Sequence, residues 1–122
     1  MKNYRLGEVE SRFAQIVWRE APIPSPELVK ICEKELNWKK STTYTVLRKL
    51  CQRGIFKNEN TIVKVVMTRE EFDTALGNSF IEESFNSSLP AFISAFVSGK
   101  KLSREEADEI RRIIDAYEEK GK

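Results

Sequence analysis

The chain has 122 residues, 40% of them hydrophobic and 33% charged, with a formal net charge of +2. That balance fits one small soluble domain, or one domain plus an oligomerisation segment, and argues against disorder. It holds no histidine, two cysteines and five glycines, which excludes Ser-His-Asp triads, Cys-His nucleophiles, His-based or four-ligand zinc sites, disulfide scaffolds and Gly-rich phosphate loops. No enzyme, no cofactor and no metal is expected. The longest near-apolar run, Leu89 to Val97, is far short of the roughly 20 residues that span a bilayer. The opening MKNYRLGEVE lacks the apolar core of a secretory signal, so no membrane partner is expected and the expected compartment is the cytoplasm.

The spacing of Val9, Phe13, Ile16 and Val17 predicts a first helix over Glu8–Arg19, with Gly7 as N-cap and Glu8 and Glu10 in the positively polarised first turn. Ala21-Pro22-Ile23-Pro24 ends it and forces an extended link. Ser25 then reads as the cap of a second helix with Pro26 at its first position. Leu28, Val29, Ile31, Cys32 and Leu36 form its buried side, Cys32 as a small core residue, and Asn37-Trp38 closes it. A third helix is predicted from Ser41 to about Arg53, followed by Gly54 in a left-handed C′ position.

On a helical wheel Thr43, Val46, Leu47 and Leu50 share one side of the third helix; Ser41, Thr45, Arg48 and Gln52 lie opposite, flanked by Tyr44 and Lys49. Hydroxyls, cations and an aromatic without a carboxylate are the groups that reach phosphates and base edges in a major groove. The charge distribution points the same way. Residues 1–68 carry 13 Lys/Arg against 7 Asp/Glu, while residues 69–122 carry 8 against 12. Between Glu35 and Glu59 there is no acid, but Lys39, Lys40, Arg48, Lys49, Arg53 and Lys57 are all basic. Such a patch binds polyanions by releasing counterions, or is simply a solvated helix face. Ile55 to Lys57 and Thr61 to Met67, joined by Asn58-Glu59-Asn60, read as a β-hairpin. The expected fold class is therefore mainly α: a winged helix-turn-helix with a small β-hairpin wing.

Thr68-Arg69-Glu70-Glu71 is a capping-box pattern, and it sets the expected boundary between domains 1–68 and 69–122. Three further helices follow. Phe72, Leu76, Phe80 and Ile81 mark the first, which Gly77 weakens; Leu89, Phe92, Ile93, Phe96 and Val97 mark a short apolar second. Ser103 to Glu106 caps the third, which carries Ile110, Ile113, Ile114 and Tyr117 on one face. A segment of this size rarely makes an adequate core alone. Its aromatics either pack on the first domain or bury against a second copy. The second is preferred, because helix-turn-helix readers commonly act as two-fold dimers on palindromic sites.

Leu6 to Trp18, LGEVESRFAQIVW, resembles the opening helix of the penicillinase-repressor (BlaI/MecI/CopY) family. WKKSTTYTVLRKLCQRGIF, Trp38 to Phe56, is similar to its recognition helix, and Thr68 to Phe72 to its junction into the dimerisation helices. The resemblance implies a homodimeric winged-helix repressor on a double-stranded DNA operator. It makes Ser41, Thr42, Tyr44, Thr45, Arg48 and Lys49 operator-facing, and Leu89, Phe92, Ile93 and Phe96 part of the dimer core. It also implies release by a regulatory protease: the Asn-Phe bond cut in the β-lactam branch falls at Ala95-Phe96 here, and Ala at the first position predicts poor cleavage. The chain departs from the family in its wing, Asn58 to Lys64, which has no Arg, Gly or Tyr and leaves Lys57 and Lys64 as the only candidates for a phosphate contact there. YEEKGK lacks the cysteines of the copper branch, so copper sensing by that route is not expected. The alternative is a winged-helix module that binds protein without specific DNA binding. Such a module would have lost the basic, hydroxyl-rich pattern that Thr45, Arg48 and Lys49 retain.

Overall fold

In the computed structural model, residues 5–119 are described. They form α1 (Glu8–Glu20), β1 (Ile23–Pro24), α2 (Ser25–Leu36), α3 (Lys40–Gln52), β2 (Phe56–Glu59), β3 (Ile62–Val65), α4 (Arg69–Ser84), α5 (Leu89–Val97) and α6 (Arg104–Tyr117). This is the mainly helical winged-helix arrangement that the hydrophobic periods predict. The chain divides between Phe80 and Ile81, inside α4, into two units with their own internal contacts.

Within the first unit, α1 contributes Phe13, Ala14, Ile16 and Val17 to the core, α2 Leu28 and Cys32, and α3 Leu47 and Leu50. Ile23 of β1, Ile55, Phe56 and Val63 of the hairpin region and Phe72 of α4 complete it. Val9 departs from the predicted apolar face and is 54% exposed. Trp38 stacks on Phe13 with ring centroids 5.6 Å apart. Trp18 packs edge-on against Phe56 and tilted against Phe72, and its indole N–H donates to the Met67 carbonyl at 3.0 Å. The start of α4 is thus held to α1 by both aromatic packing and a satisfied polar handle.

Several chain reversals use the predicted backbone chemistry. Asn37 ends α2 at φ 59°, and Gly54 follows α3 at φ 82°. Thr68 and Glu71 form a reciprocal capping box, with backbone-to-side-chain distances of 2.9 and 3.1 Å. The link before α2 is extended as expected, and its Ile23–Pro24 part is β1, which pairs antiparallel with β3 (Ile23 opposite Val63, Pro24 opposite Ile62) and gives a sheet of order β1-β3-β2. One expectation is corrected there. Ser25 is not the cap of α2: Pro24 holds that position, and Ser25 is 3% exposed. A serine buried beside the sheet spends its hydroxyl on a tertiary partner instead.

In the second unit, Ser88 caps α5 by accepting from the Ala91 N–H, and Ser103 caps α6 by accepting from the Glu106 N–H. Phe92 packs edge-on against Phe85 and stacks with Phe96. Neither α5 nor α6 buries a residue.

Candidate nucleic-acid interface

The buried side of α3 is set by Thr43, Leu47 and Leu50. That places Ser41, Thr42, Thr45, Arg48, Lys49 and Gln52 in solvent, with Lys39 and Lys40 exposed at the start of the helix. Lys39, Lys40, Arg48 and Lys49 make no ion pair among the described residues. The first turn of α3 has no acid and no side-chain cap, so its dipole adds to the positive field. Seven of the predicted contact residues thus share one open, cationic, hydroxyl-bearing surface.

Tyr44 is placed differently. It is half-buried against the core, and its hydroxyl donates to Ser25 Oγ at 3.1 Å. Arg53 is committed elsewhere in the fold: it donates to the Arg5 carbonyl at 2.8 Å and lies 3.8 Å from Glu10.

The hairpin register decides the wing. Lys57 lies opposite Lys64 and Glu59 opposite Ile62. Alternation along β2 therefore puts Lys57, Glu59, Ile62 and Lys64 on one face, while Phe56 and Val63 turn to the core. The two wing lysines converge on Glu59 Oε1, Lys64 at 2.9 Å and Lys57 at 3.7 Å. The Lys64 hydrogen bond, with the charge of Lys57 beside it, holds the Glu59 carboxyl below its usual pKa. Both predicted wing cations are present, but an acid sits between them. Sequence reasoning passed over Glu59; the signal was its place two residues after Lys57 in a strand.

Asn60 and Thr61 form the turn of the hairpin, with φ 52° and 63°. A β-branched residue is rarely left-handed. Thr61 is held there in part by the Ser25 N–H, which donates to its carbonyl at 2.8 Å.

The predicted assembly residues are exposed in the single chain: Phe80 at 41%, Leu89, Ile93, Phe96, Ile110, Ile113 and Ile114 between 37% and 57%, and Tyr117 at 85%, with Phe92 half-buried. Ala95 and Phe96 are exposed in α5, and the Ala95 carbonyl accepts from Ser98 Oγ at 2.9 Å. Cys32 and Cys51 are free thiols, Cys32 buried. Among the described residues no helix is long and apolar enough to cross a membrane.

Comparison with known proteins places these features in a family. The sequence profile described as penicillinase repressor matches residues 6–116. The penicillinase repressor of Bacillus licheniformis is 21% identical over 122 residues, covering 97% of this chain and 95% of the relative. The methicillin resistance regulatory protein MecI of Staphylococcus aureus and that of Mammaliicoccus sciuri are each 23% identical over 118 residues, covering 93% of this chain and 96% of theirs.

Proposed function

The chain belongs to the penicillinase repressor family, and from that premise we propose that it represses transcription as a homodimer bound to a palindromic DNA operator. The observation that carries this reading is the surface of α3, where Arg48 and Lys49 stand among Ser41, Thr42 and Thr45 with no carboxylate paired to them among the described residues. In a major groove, Arg48 is suited to a guanine edge and Lys49 to a phosphate. Residues 1–68 act as the DNA-binding domain. Residues 69–122 act as the dimerisation domain, supported by the exposed apolar side chains of α5 and α6.

Duplexes selected from a random pool by the parent protein, followed by titration with two variants, test the reading. Arg48→Ala costs about 1–3 kcal/mol on the selected sequence and lowers discrimination. Lys49→Ala weakens all duplexes alike and lowers the salt slope by about one unit. Equal operator affinity for parent and both variants removes α3 from the interface and returns the chain to a protein-binding role. Release from DNA rests on a regulatory protease or on a ligand of the apolar unit. Ala95 removes the amide that an Asn-Phe-cutting protease would hydrogen-bond. Mass spectrometry after incubation with such a protease therefore finds the Ala95-Phe96 bond largely intact.

A further inference from the structure

The wing carries two lysines on its solvent face, and the same face carries the acid that binds both. Lys57 and Lys64 are cross-strand partners, and Glu59 is next but one to Lys57 on the same side of β2. Their side chains are 44–52% exposed, so neither packing nor core chemistry demands the triad. Exposed ion pairs of this kind contribute little to stability. What the acid does change is the charge that the wing offers to a polyanion: Lys57 and Lys64 together give +2, and Glu59 reduces this to +1.

On the reading that this unit binds duplex DNA, the two kinds of contact separate by element. Base edges are reached from α3, whose cations have no ion-pair partner among the described residues. A wing lysine that touches a phosphate adds affinity for every sequence equally and carries no sequence information. Such a contact strengthens the hold on non-operator DNA as much as on the operator. We infer that Glu59 sets the strength of sequence-independent binding: by holding Lys57 and Lys64 it keeps the wing from adding affinity for duplexes of any sequence, so that contact with DNA rests mainly on α3.

Glu59→Gln tests this while keeping the size and polarity of the side chain. The probe is a random-sequence 30-base-pair duplex, titrated by fluorescence anisotropy at several salt concentrations, with a duplex selected by the parent protein alongside. Removing the acid gives the wing one more unit of positive charge. The slope of log affinity against log salt then steepens by about one unit, and affinity for the random duplex rises about three- to tenfold at low salt. The selected duplex gains by the same factor, and a gain confined to one of the two duplexes overturns the sequence-independent role. Lys57→Ala in the Glu59→Gln background returns the slope toward that of the parent. Circular dichroism of the parent and variants verifies that the fold is retained.

An unchanged slope and unchanged random-duplex affinity in Glu59→Gln, with a parent that binds DNA and loses discrimination on Arg48→Ala, overturns the role of Glu59 and leaves the DNA-binding reading intact. A parent and a Glu59→Gln variant that both fail to bind any duplex overturn the two together.

Discussion

The Tyr44 hydroxyl on α3 donates to the Ser25 hydroxyl at the start of α2, 3.1 Å away. The backbone N–H of the same serine donates to the carbonyl of Thr61 in the wing turn at 2.8 Å. One buried residue therefore ties the proposed reading helix, the helix beneath it and the wing. Tyr44 reaches this position because its ring packs toward the core, one turn before Arg48 turns outward. This bond fixes the orientation of the Tyr44 side chain on α3.

Tyr44→Phe preserves the ring and deletes the hydrogen bond. The expected loss is about 0.5–1.5 kcal/mol of stability. Ser25→Ala costs a similar amount, and the double variant costs less than the sum, because both single changes remove the same bond. Urea denaturation of the four proteins measures the coupling; strict additivity shows that the two hydroxyls do not act together.

The apolar side chains of α5 and α6 make a second prediction. Ile114 is 57% exposed in the single chain, so Ile114→Asp leaves the fold of one chain largely undisturbed. In a dimer core it buries an unpaired charge, which costs several kcal/mol. Analytical ultracentrifugation is expected to find a dimeric parent and a folded monomeric variant. Operator affinity falls with the dimer, because two half-sites are no longer linked. A monomeric parent contradicts the assembly.

Cys32 predicts an alkaline limit to stability. Burial pushes its thiol up to about 11, partly opposed by a hydrogen bond with Thr43. Below the ordinary thiol value near 9 both folded and unfolded chains hold the proton, and the stabilising difference is fully present. Between about pH 9 and 11 the unfolded thiol ionises while the folded one resists, so stability falls by roughly 2–3 kcal/mol as pH rises. Cys32→Ala has a lower starting stability from the cavity it leaves, but lacks this component of the decline. Urea midpoints of both proteins from pH 8 to 11 measure it; parallel curves reject the assignment.

Gly77 offers a stabilising change. It lies inside α4, and a Cβ built there meets nothing within 4 Å. Gly77→Ala is expected to add about 0.5–1 kcal/mol by reducing the freedom of the unfolded chain. A raised urea midpoint with an unchanged slope is the signature.

The sequence by itself determined the helices, the hairpin and the outward face of α3. These depend on local periods and on capping chemistry: Phe13, Ile16 and Val17 repeat at helical spacing, Thr68 and Glu71 stand three apart, and Gly54 follows the last turn of α3. The family, too, was legible, in the run from Trp38 to Phe56. Tertiary structure alone decided the rest. A two-residue strand such as Ile23–Pro24 has no period to detect, and only its pairing with Ile62 and Val63 makes it a strand. A helical wheel puts Tyr44 at the edge of the exposed face, but the bond to Ser25, 19 positions earlier in the chain, draws its hydroxyl inward. The sequence left Lys57 and Lys64 as the wing's candidate phosphate contacts; the folded hairpin brings both to Glu59, which cancels part of their charge. In each case the deciding partner is remote in sequence or set by strand pairing, and such contacts exist only once the chain has folded.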